Sequence, residues 1–152
     1  MSAPEQNWIT ITVGSLKAAG HGKIMDLAAT TATGDEDPVS EAIEGAIARV
    51  RRAVNTGNAL DADPTKVPKS LKAVTIRIAL YALMERIRTP LSDDQKETRK
   101  NDNSDLLRIS DKGIPVEKPD NPAGSAEMQE SSSIAAVNVP RRQTGRGRCS
   151  GL

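Results

Sequence analysis

From Pro68 to Arg88 the chain reads PKSLKAVTIRIALYALMERIR, and at about 100° per residue its apolar side chains fall on two nearly opposite stripes. Leu71, Val74, Ile78 and Tyr81 form one stripe; Ile76, Leu80, Leu83 and Ile87 form the other. A helix that is apolar on both sides is not stable on a surface. This segment is therefore expected at the centre of the fold, flanked by other segments of the chain or by another subunit. With no Phe, one Trp (Trp8) and one Tyr (Tyr81), the core rests on Ile, Val, Leu, Met and Ala. Such a core is small, and a module built on it gains from neighbours.

The first neighbour is legible upstream. Asp37-Pro38 is a helix start, with the Asp accepting from orphan N–H groups and the Pro at the first helical position. Val39, Ile43, Ala46, Ile47, Val50 and Val54 then recur at spacings of three and four, so they share one face; Asn55 to Gly57 ends the helix. Glu41 and Glu44 come early and Arg49, Arg51 and Arg52 late, as the helix dipole favours. Downstream, Thr89-Pro90 stops the central helix. Ser92 to Gln95 forms a capping box, with Leu91 placed as a hydrophobic staple. The helix that follows is polar, its middle expected to face water and only Leu106, Leu107 and Ile109 giving it an apolar anchor.

Ahead of these, Ile9 to Val13 alternates β-branched residues and reads as a short strand or extended arm. Ser15 is placed to cap a one-turn helix ended by Gly20 or Gly22, and Lys23 to Thr31 reads as another helix. From Ser110 onward Pro115, Pro119, Pro122 and Pro140 interrupt the chain and apolar periodicity is lost. The expectation is an all-α fold, a small bundle of about four helices over residues 13–109, with an extended N-terminal arm (1–12) and a long extended C-terminal tail (110–152).

Charge excludes a polycation. The net charge is +1, with 15 basic and 15 acidic residues before Ser110 and 6 and 5 from there on. Only RRQTGRGR near the C-terminus is locally basic. Arg49, Arg51, Arg52, Arg77, Arg86 and Arg88 are interspersed with Glu41, Glu44 and Glu85, and two aromatic residues supply no stacking platform for bases. Solvated charged faces or intersubunit ion pairs fit these arginines better. The lone Cys149 forms no internal disulfide and suits a reducing compartment. No apolar run approaches the roughly 20 residues that span a bilayer, and MSAPEQNW lacks a signal-peptide pattern, so the chain reads as soluble and intracellular with no membrane partner.

Catalytic and metal signatures are missing as well. GHGK at Gly20–Lys23 lacks the upstream Gly and the following Ser or Thr of a phosphate loop, because Lys17 and Ile24 stand there. His21 is the only histidine, no G-x-S-x-G elbow is present, and Asp35-Glu36-Asp37 lacks EF-hand spacing. No catalytic residue, cofactor or metal is expected.

Taken in order, WITITVGSLKAAG, SEAIEGAIARVRRAV, VPKSLKAVTIRIALYALMERIR, DDQKETRKNDNSDLLRIS and DKGIPV resemble the small head–tail connector (adaptor) proteins of tailed phages, most closely those of Mu-like prophages. The resemblance spans roughly residues 8–116 and is one of pattern, with no catalytic signature. The chain departs from that family in having Ala or Leu where aromatic residues are common, and in the length of its tail.

The resemblance implies a non-enzymatic virion protein of the phage neck. It would form a homo-oligomeric ring, usually of twelve copies, between the portal protein and the stopper or tail-completion protein, with genomic DNA passing through the channel. Val39, Ile43, Ile47, Val50, Leu71, Val74, Ile78, Leu80 and Leu83 are the expected core or ring contacts. Ile134, Val137 and Val139, with Arg141, Arg142, Arg146 and Arg148, are the expected docking arm onto an adjoining ring. A long adaptable tail adds buried area per subunit and gains from multivalency when many copies dock together. The alternative is a nucleic-acid-binding or genome-packaging accessory protein that uses the arginine tail.

Overall fold

The computed structural model describes residues 5–124. In chain order these form β1 (Trp8–Thr10), α1 (Val13–Ala18), α2 (Gly22–Ala29), α3 (Pro38–Asn55), β2 (Lys66–Pro68), a 3-10 turn (Lys69–Leu71), α4 (Lys72–Arg86) and α5 (Asp93–Lys112). The fold is mostly helical, as the periodicities require, with one two-stranded antiparallel sheet pairing Trp8 with Pro68 and Thr10 with Lys66.

The two-striped helix is indeed the centre. α3, α2 and α5 all pack on α4, and Val74, Thr75, Ile76, Ala79, Leu80, Tyr81, Leu83 and Met84 are buried along it. Burial of each large apolar side chain contributes about 1.5–3 kcal/mol. Both stripes are thus largely covered within one copy, with Ile78 and Ile87 left half-buried. α4 starts later than the sequence suggests: Pro68 closes β2 and a single 3-10 turn intervenes before Lys72. It ends in a Schellman motif, with Thr89 N–H bonding Met84 carbonyl (2.9 Å) and Arg88 N–H bonding Glu85 carbonyl (3.1 Å). Arg88 takes the left-handed position at φ 54°, where glycine is usual.

Asp37 caps α3 through Val39 and Ser40 N–H, with Pro38 in the first turn. Ser92 and Gln95 form the capping box of α5, but the next turn offers Lys96, so Leu91 packs on the cluster of Leu80, Tyr81 and Met84 instead of stapling its own helix. At α1 the cap is Thr12, and Ser15 sits three residues in, completing the reciprocal bond of a capping box. The middle of α5 faces water as its polar sequence predicts, with the exception of Asp102, which is buried on the same stripe as Leu106 and Ile109.

The described part of the N-terminal segment is no free arm. Trp8 is fully buried in the core, and Ile11 lies beside it in the same cluster. Nor does the folded body stop at Ile109. α5 runs to Lys112, turns through left-handed Gly113 (φ 58°), and the chain from 114 to 124 folds back across the β1–β2 end of the molecule. Gly57 and Gly113 meet where α3 and α5 end; a Cβ on Gly57 would stand 2.9 Å from the Gly113 Cα, so only glycine permits this approach.

The 114–124 segment is held by individual polar groups. Asn58 bonds Ile114 carbonyl (3.1 Å) and Val116 N–H (3.2 Å). Glu117 accepts from Ser70 N–H (3.0 Å) and its hydroxyl (2.7 Å), while its carbonyl accepts the Trp8 indole N–H (2.8 Å). Asp120 accepts the N–H groups of Asn7 and Trp8, at 3.2 and 3.1 Å. Buried Asp61 accepts from Asp63 and Asn121 N–H, and Ala62 N–H returns a bond to Asn121 carbonyl at 2.7 Å.

Candidate interaction surface

Eight of the nine expected core or ring contacts are buried inside one copy: Val39, Ile43, Ile47, Val50, Leu71, Val74, Leu80 and Leu83. Ile78 is half-buried and lines a shallow groove with Arg49 and Tyr81 where α3, α4 and α5 converge. The eight buried residues build the body, and Ile78 alone of the nine reaches its surface. The docking-arm residues Ile134, Val137, Val139, Arg141, Arg142, Arg146 and Arg148 lie outside the described residues.

The arginines suspected of forming a charged face are largely committed internally. Arg77 grips Asp102 through two bonds of 2.7 and 2.6 Å, joining α4 to α5. These bonds hold the Arg77 guanidinium even more firmly protonated than usual. Burial, and then the Asp102 charge nearby, push the Tyr81 phenol up.

Arg51 donates to the carbonyls of Asp61 (2.8 Å), Asp63 (3.0 Å) and Lys66 (2.8 Å), with its guanidinium 5.6 Å from the Trp8 ring centroid. Its burial lowers its pKa, partly offset by the Asp61 and Asp63 charges. Arg86 bonds Thr31 and Glu36, each at 2.9 Å, and pairs with Glu41 at 3.7 Å. Arg49 donates to Asn103 at 2.9 Å. Of the six, only the side chains of Arg52 and Arg88 have no hydrogen-bond or ion-pair partner among the described residues.

The surface that remains free is apolar in two places. Four large hydrophobic residues are exposed among the described residues: Val13 (37%) and Leu27 (55%) on α1 and α2, Leu107 (59%) on α5 and Ile114 (40%) just beyond it. Leu27 lines a shallow depression with Arg86, Ile87 and Arg88 at the end of α4, whereas Leu107 lines a groove between α3 and α5. Beside Leu107 a groove of about 460 Å³ runs between α3 and α5, lined by Arg49, Arg52 and Ala53 from α3 and by Leu106 and Leu107 from α5. Thr56 and Ser110 hydroxyls meet at 3.3 Å at one end of it.

Sequence reasoning missed Asp102 and Leu27. For Asp102 a signal existed: it stands four and seven residues before Leu106 and Ile109, on their stripe. For Leu27 there was none, because a leucine within an amphipathic helix reads as core. His21 occupies the cap position of α2 without a side-chain cap bond. No group of three or more His, Cys, Asp or Glu suited to a metal ion occurs among the described residues, and no helix among them is long and apolar enough to cross a membrane.

Compared with protein-family models, curated proteins and solved structures, the chain matches none.

Proposed function

We propose that the protein is a non-enzymatic structural component of a tailed-phage neck, a head–tail connector whose helical body assembles as a ring between the portal and the stopper or tail. One observation carries this reading. The segments that resemble Mu-like connectors, from WITITVGSLKAAG to DKGIPV, belong to one continuous packed body, stitched by the Trp8–Glu117 bond across its ends. The body leaves Val13, Leu27, Leu107 and Ile114 exposed, apolar surface of the kind that subunit contacts cover. Beyond Gly124 the sequence carries SSIAAVNV and the arginines from Arg141 to Arg148, the segment this reading assigns to an adjoining ring.

A nucleic-acid-binding role for the body draws little support, since Arg51, Arg77 and Arg86 are spent on internal partners. The reading is tested by mass photometry of the full chain, alone and with portal rings of a Mu-like prophage. A closed multimer that adds its mass to portal rings is the expected result. A monomer that ignores portal rings at tens of micromolar contradicts it.

A further inference from the structure

Both surface hollows that hold an exposed leucine are basic. Leu27 shares its depression with Arg86 and Arg88, Leu107 shares the α3–α5 groove with Arg49 and Arg52, and no carboxylate lines either. An occupant therefore has to bring acid and apolar groups together. Beyond Gly124 the sequence has one such stretch, AEMQE at residues 126–130: Glu127 and Glu130 are the only acids from there to Leu152, and Met128 stands between them. A methionine adapts to an irregular apolar groove.

The point where the chain leaves the body chooses between the two hollows. Ala123 N–H bonds the Leu60 carbonyl (2.8 Å), just past the Asn55 that ends α3. The α3–α5 groove reaches that same end through Thr56 and Ser110. The Leu27 depression lies by the opposite end, because Arg86 in its lining pairs with Glu36 and Glu41 at the start of α3. The 18 residues of α3 set its two ends about 27 Å apart. From Gly124 to Glu130 the chain spans at most about 20 Å, enough for the near groove and short of the far one. The near arginines are also the less satisfied. Arg52 has no side-chain partner among the described residues, and Arg49 has only the neutral Asn103, with no ion pair to the Glu85 of the adjoining hollow.

We infer that residues 126–130 dock in the α3–α5 groove of their own chain, with Met128 against Leu106 and Leu107, and Glu127 and Glu130 against Arg52 and Arg49. Joined to the body by a few residues, the segment meets the groove at an effective concentration of about a millimolar, so a small contact suffices to hold it. The contact fixes where the rest of the tail starts. It does not rest on the connector reading, which uses the tail from Ile134 to Arg148 and is judged by ring formation.

The test is disulfide trapping within the full chain, in a Cys149→Ser background at low micromolar protein under mild oxidant. Met128→Cys with Leu107→Cys is expected to give an intramolecular cross-link in at least about tenfold excess over Met128→Cys with Leu27→Cys, because a disulfide forms only where Cα atoms approach within about 7 Å. Leu27 and Leu107 are both exposed, so neither substitution disturbs the core. Glu127→Arg with Glu130→Arg should lower the Leu107 yield at least about fivefold, and adding Arg49→Glu with Arg52→Glu should restore it. With the native Met128 and Leu107 in place, the same pair of Glu→Arg changes should shift amide resonances of residues 49–56 and 103–110 more than those of residues 22–31. Equal cross-linking at Leu27 and Leu107, or no shift at the groove, overturns the contact. A cross-linked dimer whose yield grows with protein concentration puts a neighbouring copy's segment in the groove and overturns the contact within one chain. Rings that bind the portal without the intramolecular cross-link overturn this contact and leave the connector reading standing. The cross-link in a chain that stays monomeric upholds the contact and overturns the ring.

Discussion

The α3–α4 pair and the closing segment from 114 to 124 lie in one body but are held by different physics. The helices satisfy their backbones internally and meet through a continuous apolar seam of Val, Ile, Leu and Ala. The closing segment has no regular secondary structure beyond a single bridge between Asp61 and Pro122, and its backbone is satisfied one group at a time by Asn58, Asp61 and Leu60. Stability is therefore spread over many residues in the seam and concentrated in a few at the closure. Loss of one methylene in the seam is a graded injury, whereas loss of one partner at the closure leaves a polar group unpaired.

Substitutions should expose that contrast. The largest effect is expected from Trp8→Ala, which opens a cavity, strands the Glu117 carbonyl and removes the ring beneath Arg51. It should cost about 3–5 kcal/mol in denaturant unfolding. A loss below about 1 kcal/mol would show that the closure is not tied to the core. Asp102→Ala should cost about 2 kcal/mol, less than for a fully buried pair because Arg77 is a third exposed. The double variant with Arg77→Ala should recover part of that loss, which a double-mutant cycle measures.

Gly57→Ala should cost about 1–3 kcal/mol by forcing apart the two helix ends, and thermal melts of the variant against wild type will show whether the glycine pair is a true close approach. Arg88→Gly acts in the opposite sense: it relieves a left-handed residue at the end of α4 and is expected to stabilise by about 0.5–1 kcal/mol.

The smallest effect is acid sensitivity. The N–H groups of Trp8 and Asn7 hold the Asp120 carboxyl below its usual range. Burial raises Glu117, but the Ser70 bonds, its own backbone N–H and the Lys69 charge together outweigh it and hold this carboxyl low as well. A depressed folded pKa means the stabilising contribution is present above the ordinary value near about 4 and is lost as pH falls through the lower folded value. Melting temperature should thus decline below about pH 4, and Asp120→Asn should flatten the decline; an unchanged slope would separate Asp120 from the closure.

How much of this was legible follows the same division. Periodicity located α3 and α4, and Asp37-Pro38 and Ser92–Gln95 gave the starts of α3 and α5, because these signals are local. The closure was illegible because it joins residues more than a hundred positions apart through single hydrogen bonds, which leave no repeating pattern. Thr12 and Ser15 form a reciprocal pair, so either reads as the cap until the backbone decides. The interaction surface was harder still. Leu27 follows Ile24 at helical spacing like a core residue, and Leu107 sits within the Leu106–Ile109 apolar cluster although off its stripe; the packed body shows both exposed.

The most direct measurement compares two shortened chains, one ending at Gly113 and one at Gly124, by thermal melting under the same conditions. If residues 114–124 complete the body, the shorter chain melts several degrees lower and its Trp8 fluorescence shifts toward that of a solvated indole. Equal melting temperatures with an unchanged Trp8 environment would mean that the body ends with α5, and that the closure is an ornament of the fold.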